Sequence, residues 1–190
     1  MGEQANIRAR YDVSVLAKTS TDFSAKADVS AGGLVANGKA TSTVTVTRES
    51  KVTVGKGATI ESRYGDVSIL ATSDVTQLDA STTMGGGGVV AAGAGPLASA
   101  NLTANTNVTV LDGAKITAVF GDLSISALSY SDVNAYAYRH MGAFAGNNKS
   151  RTKINAAETL NIVLGGSGAQ AYLCGKNTNI FTHLNQNLYG

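Results

Sequence analysis

The sequence predicts an all-β protein, a parallel β-helix (β-solenoid) built from sequence repeats of about 52–56 residues. Three observations carry this. Apolar residues recur with a period of two rather than 3.6, as in Val44 and Val46 set between Thr43, Thr45 and Thr47. Three separate markers return in one order along the chain. The only Asn-Gly hairpin signal, Asn37-Gly38, falls where the alternation runs straight through, so coils stacking on coils replace tight hairpins.

The first marker is Tyr11-Asp12-Val13-Ser14-Val15-Leu16-Ala17, which returns as Gly65-Asp66-Val67-Ser68-Ile69-Leu70-Ala71 and as Gly121-Asp122-Leu123-Ser124-Ile125-Ser126-Ala127. Its aspartates are 54 and 56 residues apart. The second is Val46-Thr47 followed by Val52-Thr53-Val54, then Leu102-Thr103 with Val108-Thr109-Val110, then Ile154-Asn155 with Leu160-Asn161-Ile162. The third is Gly57-Ala58-Thr59-Ile60, matched by Gly113-Ala114-Lys115-Ile116. The chain therefore reads as one segment, 1–190, with units at about 1–50, 51–106 and 107–158 and a partial unit at 159–190.

In a solenoid, equivalent apolar positions stack into ladders. Val46, Leu102 and Ile154 are expected in related ladders, as are Val54, Val110 and Ile162. Val46, Val54, Ile60, Val67 and Ile69 are expected to point inward. The small residues at every second position from Leu34 through Ala36, Gly38, Ala40 and Ser42 predict an interior that is narrow there. Gly32-Gly33, Gly85 to Gly88 and Gly142 read as bends or bulges. Uneven strand spacings leave open whether a unit holds two long coils or three of roughly 19 residues.

Ala, Gly, Thr, Ser and Asn fill 101 of 190 positions, and Trp is absent, which excludes a core of large side chains. With 15 basic and 13 acidic residues the net charge is +2, so no nucleic-acid partner is indicated. Cys174 is the only cysteine, which rules out an internal disulfide and leaves a buried small apolar residue as the expected role. The uncharged stretch Ala80 to Leu111 is too rich in Gly, Asn and Thr for a membrane span. No signal peptide opens the sequence.

The run Gly57 to Ala71, returning at Gly113 to Ala127, resembles the repeats of filamentous haemagglutinin-like bacterial exoproteins, giant adhesins of two-partner-secretion or autotransporter type. The likeness extends over about Ile7 to Ile162. It implies a right-handed parallel β-helix, export across the outer membrane, and an adhesive or structural role at the cell surface. The secretion domain of such proteins is not recognisable here, nor is a membrane barrel, so the resemblance points to a piece of a longer shaft held at the outer membrane by other parts.

Little in the sequence points to a reaction. Asp12, Asp66 and Asp122 each precede a strand, where Asp bonds backbone amides and stabilises a turn. His140 and His183 stand apart, and Gly165 to Gln170 lacks the acid of a calcium repeat. Gly85 to Gly88 is followed by no Lys-Ser or Lys-Thr, so a phosphate loop is not expected. No catalytic residue, metal or cofactor is assigned. Thr41, Thr43, Thr45 and Thr47 form an outward row that would suit an ice-binding face, yet the row does not recur regularly. The aromatic cluster Tyr130, Tyr136, Tyr138, His140 and Phe144, with Arg139, is the candidate contact for a glycan or protein. The expected role is a non-enzymatic segment of an exported adhesin or fibre, whose partners are neighbouring repeats or end-to-end copies of itself. A self-assembling filament or ice-binding solenoid is the alternative. A polysaccharide-acting enzyme would need paired carboxylates in one cleft, and the acids here are scattered.

Overall fold

A strand that alternates small apolar and polar residues must cover one face, and a chain with few large side chains does so by folding that face against thin neighbouring layers. A computed structural model describes residues 1–92, 95–146, 149–166, 168 and 170–190, the side chains of 35–37, 89–92, 141 and 143–146 excepted. The first coil is β1 (Asn6–Ala9), β2 (Val13–Gly32), β3 (Val35–Asn37) and β4 (Thr41–Val54). The second is β5 (Thr59–Ser62), β6 (Val67–Ala92) and β7 (Leu97–Val110). The third is β8 (Lys115–Ala118), β9 (Leu123–Gly146) and β10 (Arg151–Leu164), and β11 (Tyr172–Cys174) and β12 (Thr178–Tyr189) begin a fourth. All pairings are parallel, and they form three sheets: a short one, β1-β5-β8-β11; a long one, β2-β6-β9-β12, with β3 also on β6; and an intermediate one, β4-β7-β10. This is the parallel β-helix that the alternation predicts.

Register overturns both expected coil numbers, two long coils or three short ones: each repeat is a single coil. Val13 pairs with Val67 and Val67 with Leu123, while Thr41 pairs with Leu97 and Leu97 with Arg151. Of the expected ladders, Val46 beside Leu102 and Val54 beside Val110 hold. Ile154, however, pairs with Ala100, and Ile162 with Val108. The third-unit marker is thus two residues out of step, a slip that leaves face parity unchanged and is invisible in a period-two pattern.

The expected bend is present at Gly33, which lies between β2 and β3 with φ of 138°, whereas the other glycines differ from expectation. Gly32, Gly87 and Gly142 stack in one column, and β6 runs through Gly85 to Gly88 without a break. The irregularity lies instead near Thr76, where Val75 pairs with Thr21 and Gln77 with Asp22. The additional residue there, one more than in the flanking coils, is a β-bulge.

Two apolar clusters fill the interior. Where all three sheets meet, Val54, Ile60, Val67, Ile69, Val110, Ile116, Leu123 and Ile125 pack together, fully buried but for traces. Where only the long and intermediate sheets face each other, Val44, Leu78, Leu102 and Val133 pack among Ala80, Ala98, Ala100, Ala104 and Ala135. Val46 is half-buried in the first coil. The interior hydroxyls close hydrogen bonds across the gap between sheets: Ser42 Oγ donates to the Ala25 carbonyl at 2.8 Å, Ser50 Oγ to Ala17 at 2.9 Å and Thr82 Oγ1 to Leu97 at 3.0 Å. Serine and threonine here satisfy backbone carbonyls inside a narrow core.

The recurring aspartates bond along the solenoid. Asp12 Oδ1 accepts the Asp66 N–H at 2.8 Å, Asp66 Oδ1 accepts that of Asp122 at 2.8 Å, and Asp122 Oδ1 that of Asn177 at 3.1 Å. The amides are one coil away, not within the same turn. The third marker has its own cause: Gly57 and Gly113 adopt φ of 67° and 69°, a left-handed turn that favours glycine, and Ala58 and Ala114 behind them are completely buried.

Candidate functional site

Alternation along β9 divides the expected aromatic cluster between two faces. Tyr130, Tyr136, Tyr138 and His140 stand on the outer face and are exposed. Arg139 is 6% exposed and points inward, its neighbour across the pairing being Met84. The side chain of Phe144 lies outside the described residues. The rings of Tyr136 and Tyr138 stack with centroids 6.3 Å apart and planes 8° from parallel, while Tyr130 meets His183 of β12 at 5.9 Å. Pairing with β12 reaches only Asn134. A shallow cavity of about 210 Å³ opens beside it, lined by Asn134, Ala135, Tyr136, Tyr189 and Gly190.

A second surface forms at the corner between the short and long sheets. The backbone bonds Arg63 N–H to Ala9 O and Tyr64 N–H to Arg10 O set Arg10-Tyr11 and Arg63-Tyr64 side by side on successive coils. Phe120 continues the column and stacks on Tyr64 at 5.7 Å and 10°. The Arg10 guanidinium lies 5.6 Å from the Tyr11 ring centre and 5.9 Å from that of Tyr64, and Arg63 lies 5.2 Å from Tyr64. A groove of about 460 Å³ follows, lined by Arg8, Ala9, Arg10, Glu61, Arg63 and Tyr64. Sequence reading missed this site. Its signal was the Arg-Tyr pair preceding the repeated aspartate, which becomes a cluster only once the coils are in register.

A polar band separates the two apolar clusters. Arg48, Ala104 and Glu158 occupy one column of the intermediate sheet. Glu158 accepts hydrogen bonds from Ser129 and Ser131 and, at 3.0 Å, from Gln186 Nε2. Arg48 is 7% exposed, and none of its guanidinium nitrogens has a hydrogen-bond partner; the same holds for Ser73 Oγ and Thr106 Oγ1. Burial pushes the Arg48 pKa below the ordinary arginine value, while the Glu158 and Asp74 carboxylates pull it back up. Ala104 leaves room in the middle rung, so the two charges face each other across it.

On the outside of the intermediate sheet, asparagines bond rung to rung, Asn155 Nδ2 donating to Asn101 Oδ1 at 2.6 Å and Asn161 Nδ2 to Asn107 Oδ1 at 3.2 Å. The threonine row of β4 faces Ser99, Asn101 and Thr103, not further threonines at every rung. Cys174 is a free thiol and only partly buried, contrary to the buried role expected of it; β11 has little beyond it to cover it. The neighbouring Tyr172 hydroxyl has its pKa raised, chiefly by a hydrogen bond to Cys174. Among the described residues, no group of three or more His, Cys, Asp or Glu is placed to hold a metal, and no helix is long and apolar enough to cross a membrane. No family model, curated protein or solved structure matches the chain.

Proposed function

We propose that this chain is a non-enzymatic structural and adhesive segment of an exported bacterial surface protein or fibre, of the filamentous haemagglutinin-like kind. The observation that supports it most is the single-coil repeat. Each coil contacts only its neighbours, and the columns Val15-Ile69-Ile125-Ile180 and Phe23-Leu78-Val133-Leu188 run unbroken through four coils. Such a body lengthens by adding coils and resists bending through continuous parallel pairing. Its outer Asn and Thr ladders keep the flanks polar while adding side-chain hydrogen bonds along the axis.

The inward residues Phe23, Ile180 and Leu188 on β2 and β12 are roughly half exposed and are positions that a further coil, from the same chain or from a second copy, would cover. In this reading the β12 edge of one copy meets the β2 edge of the next and continues the columns. Light scattering and negative-stain microscopy over a concentration series test it. End-to-end particles that lengthen with concentration are expected, and a strictly monomeric particle throughout would contradict the reading.

A further inference from the structure

We propose that the corner built by Arg10, Arg63 and Tyr64 binds the carboxylates of an acidic polysaccharide. Three guanidinium groups converge on one groove. Of these three, among the described residues, only Arg8 has an acidic partner, Glu61 at 3.8 Å, and that pair is solvated and weak. Arg10 and Arg63 each lie over an aromatic ring, an arrangement that holds the planar fork while its N–H edge stays open to a bidentate carboxylate. Tyr64 and Phe120 are 49% and 63% exposed and stacked nearly parallel, so they present a flat apolar platform along the solenoid axis. A platform flanked by guanidinium forks fits a ring with apolar C–H faces and a carboxylate at its rim, which describes a uronic acid residue.

A polynucleotide fits less well. Its affinity depends on how many phosphates are neutralised, and beyond this corner the neighbouring outer faces mix Lys18, Lys26 and Lys115 with the acids Glu61 and Asp28, on a chain of net charge +2, so no continuous basic track follows the groove. The inference rests on the surface-segment reading for the setting in which such a polymer is met. Binding in solution probes the corner alone.

The test is calorimetric titration of the full chain with polygalacturonate, neutral galactan, dextran sulfate and poly-dT. Polygalacturonate is expected to bind and galactan not to. The Arg10→Gln/Arg63→Gln variant should weaken binding by about tenfold for each guanidinium removed, with an unchanged melting temperature because both side chains are exposed. No binding of polygalacturonate, or equal affinity in the variant, overturns the site. Dextran sulfate or poly-dT binding as tightly as polygalacturonate overturns the assignment to carboxylated sugars. Either failure leaves end-to-end association untouched, so the two readings stand or fall separately.

Discussion

The Gly-Asp turn shows why particular residues recur in this chain. Glycine is required at position 121 because a Cβ there would lie 2.2 Å from the Gly65 carbonyl oxygen and 2.6 Å from Asp66 Oδ1. The previous coil's turn occupies the space. Asp66→Ala should destabilise the protein by about 0.5–1.5 kcal/mol through loss of its solvent-exposed hydrogen bond from the Asp122 amide, and Gly121→Ala by about 1–3 kcal/mol through overpacking; thermal melts of both check this. Val110 is wholly buried whereas Thr45 faces water. Val110→Asp should therefore unfold neighbouring coils, and Thr45→Lys should leave the melting temperature unchanged; equal melting temperatures for both would reverse the face assignment. Arg48 is different, because its buried charge has no hydrogen bond to compensate desolvation. Arg48→Met is expected to be neutral or stabilising at neutral pH. Burial lowers the Arg48 pKa from the ordinary arginine value, but a guanidinium keeps its proton across accessible pH, so the effect of Arg48→Met should be the same at neutral and at mildly alkaline pH in denaturation series.

At the level of strands, face parity was legible and register was not. Alternation in β4, β6 and β9 assigns inward residues correctly because one face must be covered. A two-residue slip preserves that parity, which is why the pattern alone sets Ile154 and Ile162 beside residues two positions along the strand from their true partners. The bulge near Thr76 was equally hidden, since no glycine marks it; it supplies one of the two residues by which the second aspartate interval, 56, exceeds the first, 54, the other falling between β6 and β7. Deleting Thr76 should be tolerated within about 1 kcal/mol, because Val75 and Leu78 then regain the two-residue spacing of their neighbours. Deleting Thr103 should abolish folding, because it turns one half of β7 inside out. Urea midpoints of the two deletions would separate these outcomes, and equal midpoints would contradict the register.

Over the whole molecule, repeat length predicted the architecture, but the repeat's relation to the coil needed three dimensions. A coil of about 19 residues and one of 54 to 56 both satisfy a period-two pattern. The candidate surfaces were only partly readable for the same reason. Tyr136 and Tyr138 are close in sequence and do stack, whereas Arg10 and Tyr64 meet only through coil stacking, and Arg139 left the cluster because its parity points inward. The central claim, one coil per repeat, is tested most directly by placing nitroxide labels at Thr47→Cys and Thr103→Cys in a Cys174→Ser background. These outward positions are paired in register although 56 residues apart, so they should lie one rung apart, about 5 Å between backbones. Strong dipolar broadening of the electron paramagnetic resonance spectrum is the predicted result; a doubly labelled protein whose spectrum equals the sum of the two single labels would contradict it.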